Sequence, residues 1–366
     1  IVLVLLLLLP ISLCDLLFVA VIWRHGDRAP GDLPYPLDRN DVSAWPRGWN
    51  QLTNKGIKQT YDLGKFLRER YVKESKHINE VFNKDEVLVI SSDSERALTS
   101  AQSVLTGLFP PKHEMEWKDD FDWQPVPIHS TGVDRDDPLL KPTSIDCPSY
   151  ETLMDQERAP LFYSLNESNY DLFQQLSKNT GMQITSANVD NLYDITREID
   201  HGMKQPKWVT KDLIEKIKEF KRAVRTNEFD TQPKARFRGG YLLGDWLRRI
   251  NAVANESEEA MKTILYSSHD GTLSALLGTM GVSNNQLVPY AAAIMAELHR
   301  ENGQDFVQMG YRNETSSKHG TPYQLTLPGC AFSCPLSTFN TIIAPLTVNS
   351  MQQLEEMCNS TSPLHA

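Results

Sequence analysis

The chain has 366 residues, 40% hydrophobic and 23% charged, which suits a globular protein whose core is large enough to divide in two. Acidic residues outnumber basic ones, and the formal net charge is −10. That balance argues against a general nucleic-acid or anionic-membrane binder and leaves room for a local basic pocket.

Ile1 to Leu9 are almost purely Leu, Val and Ile, and Pro10 and Ser12-Leu13-Cys14 follow. So short an apolar run, ending in small residues, reads as a signal-peptide core with its cleavage site. Pro10 and Asp15 break its continuity with the next apolar run, so it is too short to span a bilayer. The expectation is a secreted, soluble protein with no stable membrane anchor.

Leu17–Trp23 reads as a strand buried on both faces. It stops abruptly at Arg24, His25, Gly26, Asp27 and Arg28. Residues 53–72 carry Ile57, Tyr61, Leu63, Leu67 and Tyr71 at helical spacing. Val87–Ile90 is a short apolar strand, with Ser92 or Asp93 placed to cap a helix starting near Glu95. Residues 112–238 hold helical patterns over Ser149–Leu165, Tyr170–Lys178 and Lys211–Val224 and little that reads as strand. Thr263–Tyr266 is a third apolar strand, followed by a polar turn and a helix over Thr272–Met280, with Gly281 as its stop. Residues 287–300 and 305–313 read as late strands in a hairpin about Asn302-Gly303.

Three buried strands each run into a polar turn, and two of those turns lead directly into a helix. This pattern predicts an α/β fold: an open mixed, mostly parallel sheet flanked by helices, with an inserted, mainly helical cap domain. The expected division is a signal peptide over 1–14, a discontinuous core of 15–111 and 239–358, a cap over 112–238, and a tail over 359–366. Ligands of such sheets bind outside the carboxyl ends of the strands. The turns would therefore bring Arg24, His25, Arg28, Arg96, His269 and Asp270 to one crevice.

Three arginines and two histidines around a crevice describe an oxyanion site, because the guanidinium fork engages phosphate oxygens two at a time. His25 is placed to attack phosphorus as a neutral imidazole, and the nearby arginines disfavour its protonation. Asp270 is the proton donor for the leaving alkoxide and later the base for water. A competing reading makes His25, Asp27, His269 and Asp270 ligands of a metal phosphohydrolase. The arginines argue against it, since cations repel a dication. A blander reading pairs Asp27 with Arg28 at the surface. No cofactor is expected.

If Cys14 leaves with the signal, Cys147, Cys330, Cys334 and Cys358 remain, an even number that suits two disulfides in an oxidising compartment. Cys330 and Cys334 are placed to close a tight local loop, which leaves Cys147 with Cys358. Their spacing does not suit a zinc ribbon. Sequons at Asn166, Asn255, Asn313 and Asn359 suit a secreted glycoprotein.

At these residues the chain resembles the histidine acid phosphatases of the prostatic and lysosomal type, a branch of the phosphoglycerate-mutase-like superfamily. "RHGDRAP" matches that family's R-H-G-x-R-x-P signature, "SSHDGTL" its His-Asp motif, and "SSDSERALTSA" the segment carrying its third arginine. "WPRGWNQLTNKGIKQTYDLGKFLRERY", "LFPP", "WQPVPIH", "YRNET" and "LPGCAFSCPL" extend the likeness across about residues 17–358.

The resemblance implies that His25 is the phosphorylated nucleophile, that Arg24, Arg28, Arg96 and His269 bind phosphate, and that Asp270 donates the proton. It implies an α/β core with a helical cap, no metal, and homodimers in several members. Cys330–Cys334 and Cys147–Cys358 match two family disulfides. A third pair common in vertebrate members is missing, which leaves part of the cap less tied. The membrane-spanning tail of the lysosomal type is also missing, which favours secretion over a lysosomal lumen. The expected activity is hydrolysis of small phosphate monoesters of broad range. Alternatives are a phytase or single-metabolite phosphatase, a non-catalytic secreted binding protein on the same fold and, less favoured, a phosphoglycerate mutase.

Overall fold

The computed structural model describes residues 14–257, 260–313 and 321–359. The expected signal peptide lies outside these residues except for Cys14, and the expected tail except for Asn359. Among the described residues no helix is long and apolar enough to cross a membrane. Seven strands are described: β1 (Cys14–Arg24), β2 (Val87–Ser91), β3 (Thr263–Ser268), β4 (Ala293–Glu301), β5 (Gln304–Arg312), β6 (Tyr323–Leu325) and β7 (Cys334–Pro335). They form one open mixed sheet in the order β2-β3-β1-β4-β5-β6, with β7 on β5. Strands β2, β3 and β1 run parallel, and β4 to β7 add antiparallel pairs on the other side.

The unbroken apolar run of β1 has a simple cause. Phe18, Ala20 and Ile22 face one core cluster, and Val19, Val21 and Trp23 face another. The strand alternates, but both of its faces are covered by helices, so both must be apolar. Each large side chain so buried contributes about 1.5–3 kcal/mol.

One covering layer holds α1 (Asn54–Leu67) and α2 (Glu95–Leu108). Thr53 caps α1 by accepting from the Gly56 amide at 3.1 Å, and the helix continues as a wider turn over Arg68–Glu74. The expected cap of α2 needs correcting. Ser94 is the N-cap residue and makes no side-chain bond to the helix. The Ser92 hydroxyl is spent on His269, and Asp93 accepts from Ser130.

Between α2 and β3 lie α3 (Pro148–Ser168), α4 (Tyr170–Thr180), α5 (Ile195–Asp200), α6 (Lys211–Asn227) and α7 (Gln232–Ala254). Phe173, Leu176, Ile195, Ile217 and Phe220 form a separate small core there, joined by Tyr35 from the loop after β1. Helix α7 runs unbroken across residue 238, where the cap was expected to end. Its Leu242, Leu243 and Trp246 pack in the same cluster as Phe18 and Ile22. After β3 come α8 (Asp270–Thr279), α9 (Leu336–Ile343) and α10 (Met351–Cys358). The β4–β5 hairpin turns on Asn302 and Gly303, both left-handed at φ 52° and 76°, as a two-residue I′ turn requires. Disulfides join Cys147 to Cys358 and Cys330 to Cys334. Cys14 is exposed at the start of β1 and bonded to no other cysteine.

Candidate active site

The carboxyl ends of β1, β2 and β3 open into a cavity of about 580 Å³. All six expected site residues, from three distant turns, line it. Five arginines and three lysines face two aspartates around its wall, so the cavity selects for anions.

Parallel pairing sets the central geometry. The amide of His25 donates to the carbonyl of Ser268, the last residue of β3, at 2.9 Å. His25 and His269 therefore sit side by side, ring centroids 5.5 Å apart and edge to face. The Nδ1 of His25 lies 2.8 Å from the carbonyl of Gly26. A carbonyl only accepts, so Nδ1 carries the proton and Nε2 keeps its lone pair. Burial, then Arg24, His269 and Arg96, hold the imidazole well below its ordinary pKa, so it stays neutral into acid.

Gly26 is required by a close approach. A Cβ there would stand 2.3 Å from the carbonyl oxygen of Gly56 in the first turn of α1.

The arginines are held from behind. Arg24 donates to the carbonyl of Val288 at 2.6 Å, and its guanidinium lies 4.0 Å over the Tyr290 ring. Arg28 donates to the carbonyl of Ala29 at 2.7 Å, and burial with Arg197 pushes its pKa down to about 10. Arg96, in the first turn of α2, donates to Nδ1 of His269 at 3.4 Å. The proton of His269 then sits on Nε2 and is donated to the Ser92 hydroxyl at 2.7 Å. Burial and Arg96 push His269 down to about 3.

His269 is the N-cap residue of α8 and Asp270 is its first residue, which places both against the helix amino end. Asp270 accepts from Nε of Arg225 at 2.9 Å and lies 3.9 Å from Arg24. Burial pushes its carboxyl up, but Arg225 and Arg24 outweigh this and hold it well below the ordinary range. Asp270 is therefore ionised in the resting site.

Asp27 does not pair with Arg28. Its buried carboxylate accepts from the Thr53 hydroxyl at 2.6 Å and from Nε2 of His201 at 2.7 Å. The quartet of the metal reading is thus not gathered, since Asp27 is spent on α1 and His201 while Asp270 faces Arg225. Of the sequon residues, Asn255 and Asn359 are exposed, and Asn313 and Asn166 are half-buried. Asn166 accepts from the Ser186 amide at 2.9 Å.

Sequence reasoning missed Ser92, Arg197, His201, Arg225 and Tyr290. Ser92 stands inside the quoted "SSDSERALTSA" and was read only as a cap. Arg197 and Arg225 lie on helices of the insert, where no local pattern separates them from surface arginines.

The chain matches the Histidine phosphatase superfamily (branch 2) over residues 15–312. It is 38% identical to a lysosomal acid phosphatase of Xenopus laevis over 355 residues, 95% of this chain and 80% of that protein. It is 35% identical to a prostatic acid phosphatase of Mus musculus over 353 residues, 93% of this chain and 90% of that protein. Among solved structures it resembles a phytase of Hafnia alvei in complex with tartrate, with a TM-score of 0.68 at 17% identity, covering 92% of this chain and 98% of that one. A phytase of Citrobacter braakii gives a TM-score of 0.66 at 16% identity over 93% and 99% of the two chains. The solved structures speak for the fold, and the sequence relatives for the activity. The chain belongs to branch 2 of the histidine phosphatase superfamily and is an acid phosphomonoesterase.

Proposed function

We propose that the hydrolysis runs through a phosphohistidine on His25, without a metal. The observation that carries this is the tautomer of His25: Nδ1 is tied to Gly26, and Nε2 is left neutral in a cavity walled by cations. The roles follow by chemistry. Arg24, Arg28, Arg96 and His269 bind the phosphoryl oxygens and spread their charge in the transition state. Nε2 forms a bond to phosphorus as the bond to the ester oxygen breaks, and the Gly26 carbonyl disperses the positive charge the ring gains. Asp270 gives its proton to the leaving oxygen. Water then attacks phosphorus, Asp270 takes a proton back, and the P–N bond breaks to release phosphate and neutral His25.

Asp270 rests ionised, so its proton must arrive with the substrate. A phosphate monoester loses its second proton near pH 6, so in acid it enters as the monoanion. The arginines favour the dianion, and the displaced proton passes to Asp270.

Acid quench during turnover of p-nitrophenyl phosphate should trap phosphate on a peptide containing His25. His25→Ala should lose both the label and nearly all turnover. A variant keeping most turnover would refute the nucleophile, and activity lost to EDTA and restored by a divalent cation would refute the metal-free route. The proposal extends to a secreted, glycosylated enzyme of broad substrate range, homodimeric as several family members are. Rates on inositol phosphates, nucleotides and phosphotyrosine test the range, because a phytase or single-metabolite enzyme would prefer one class by orders of magnitude.

A further inference from the structure

Arg225 comes from the carboxyl half of α6, inside the insert, and reaches the acid that sits on the core. Its guanidinium has two carboxylate partners. Nε donates to Oδ2 of Asp270 at 2.9 Å, and Nη1 donates to Oε2 of Glu228, three residues further along the chain, at 2.5 Å. The approach is tight, since a Cβ on Gly271 would stand 2.5 Å from Nη2 of Arg225. The glycine after Asp270 thus leaves room for a guanidinium over the start of α8. Arg225 is about one-fifth exposed and Asp270 about one-quarter, so water screens the pair only in part.

We propose that Arg225 is a positioning residue for Asp270: it fixes the resting carboxylate through Nε, and Glu228 retains the guanidinium when Asp270 takes up a proton. This rests on the role of Asp270 given above. The physical need is clear. When Asp270 becomes neutral, a cation with no other partner would be left uncompensated in a half-buried site. Glu228 meets that need without any movement of α6. It also lowers the cost of protonating Asp270, because Arg225 is never wholly committed to it.

The other charged groups around the pair do not remove this dependence. Arg24 on β1, His25 after it and Arg96 on α2 face Asp270 from the phosphate side, and His269 adjoins it. Tyr150 on α3 is the further titratable group near Arg225. Arg24 and Arg96 are engaged by a bound phosphoryl group, whereas Arg225 is tied to Asp270 through Nε and to Glu228 through Nη1. With substrate bound, Arg225 is the cation left to act on the acid alone.

The test is the pH profile of kcat at saturating substrate for Arg225→Gln, Arg225→Lys and Glu228→Gln, with an aryl and an alkyl phosphate. Loss of the cation should move the basic limb of kcat up by about one pH unit, the lower end of the shift an adjacent opposite charge causes. Glu228→Gln should move it the other way, because Arg225 then serves Asp270 only. KM for the aryl ester should change less than twofold in Arg225→Gln, while kcat falls about tenfold, and further for the alkyl ester with its poorer leaving group. Arg225→Lys should restore the limb in part. A KM raised tenfold with an unmoved limb would overturn the proposal and make Arg225 a substrate-binding residue. Equal shifts in the same direction for the Arg225→Gln and Glu228→Gln variants would also overturn it. Asp270→Asn separates the two failures: if it keeps the wild-type kcat profile, Asp270 is not the acid, and the underlying reading falls with the inference. Thermal melts of each variant identify one that fails to fold, and the opposite sign expected of Glu228→Gln stands without Arg225→Gln.

Discussion

Gly56→Ala should cripple the enzyme although it lies 31 residues from His25 in the chain. Gly56 is in the first turn of α1, and its backbone lies directly against that of the Gly26-Asp27 loop. A Cβ at Gly56 would stand 2.1 Å from the carbonyl oxygen of Asp27 and 2.7 Å from its nitrogen. Carbon–oxygen contacts settle near 3.3 Å, so helix and loop must part by roughly 1 Å. No flexible side chain lies between them to absorb the change. The Asp27 carbonyl also accepts from the Thr53 amide at 3.0 Å, and that bond to the helix cap would stretch. Overpacking of this kind costs about 1–3 kcal/mol. A displacement of about 1 Å at the reacting group costs about a hundredfold in rate. His25 is two residues from the displaced carbonyl and should receive most of the shift. The assay is kcat for p-nitrophenyl phosphate beside a urea melt. Gly31→Ala is the control, since its Cβ would meet only the Asn50 amide at 3.7 Å, an ordinary contact. If Gly56→Ala kept kcat within twofold and the same urea midpoint, the argument that the loop is pinned backbone to backbone on α1 would fail.

Two further predictions concern stability. Burial pushes the carboxyl of Glu297 up, but hydrogen bonds from His299 and Arg70 outweigh it and hold the pKa at about 2, against an ordinary 4.5. A depressed acid stabilises the fold above its ordinary pKa and loses that contribution as pH falls, here from about 4.5 to about 2; the shift corresponds to roughly 3 kcal/mol. Glu297→Gln should therefore be less stable than wild type by that order at pH 5 to 7, and the gap should shrink in urea melts as pH falls from about 4.5 toward 2; a gap independent of pH would refute the assignment. The Cys147–Cys358 bridge spans 211 residues and Cys330–Cys334 spans 4, so loop closure gives the first about 5 kcal/mol and the second less than about 2. Replacing Cys147 and Cys358 by Ser should lower the urea midpoint several times more than replacing Cys330 and Cys334, and equal losses would count against the entropic account.

The strands of the site were legible because a parallel strand covered on both faces has no polar positions to hide it. Leu17–Trp23, Val87–Ile90 and Thr263–Tyr266 all fall within observed strands, and the Asn302-Gly303 hairpin follows from two left-handed residues. The charged turns were legible for the complementary reason: Arg24, His25, Arg96, His269 and Asp270 end apolar runs or open helices, and such positions point to a sheet edge. What sequence reasoning missed comes from long-range packing. His201 reaches Asp27 across 174 residues, and Arg225 reaches Asp270 across 45. Each stands on or beside a helix of the insert, with nothing beside it in sequence to mark its partner. The role of Asp27 was left open for the same reason, since its partners are Thr53 and His201 rather than the neighbouring Arg28. The expected boundary at residue 238 falls inside α7, whose Leu242 and Trp246 pack in the core cluster beneath the sheet.

On the proposed mechanism, the protonation states of the resting site account for work in acid. The proposed proton donor rests without its proton. His25 stays neutral because it is buried among cations, and His269 stays neutral down to about pH 3. Asp270 stays ionised because Arg225 and Arg24 hold it so. Between about pH 3 and pH 6 none of these three groups need change charge, while the ester gains a proton below its second ionisation near 6. On the proposed mechanism the acid requirement then belongs to the substrate, which carries in the proton that Asp270 would give to the leaving oxygen. The same cations that help keep His25 neutral in acid also hold Asp270 ionised. One cluster of arginines thus sets both states, and substrate binding, which engages those arginines, is the event that changes them.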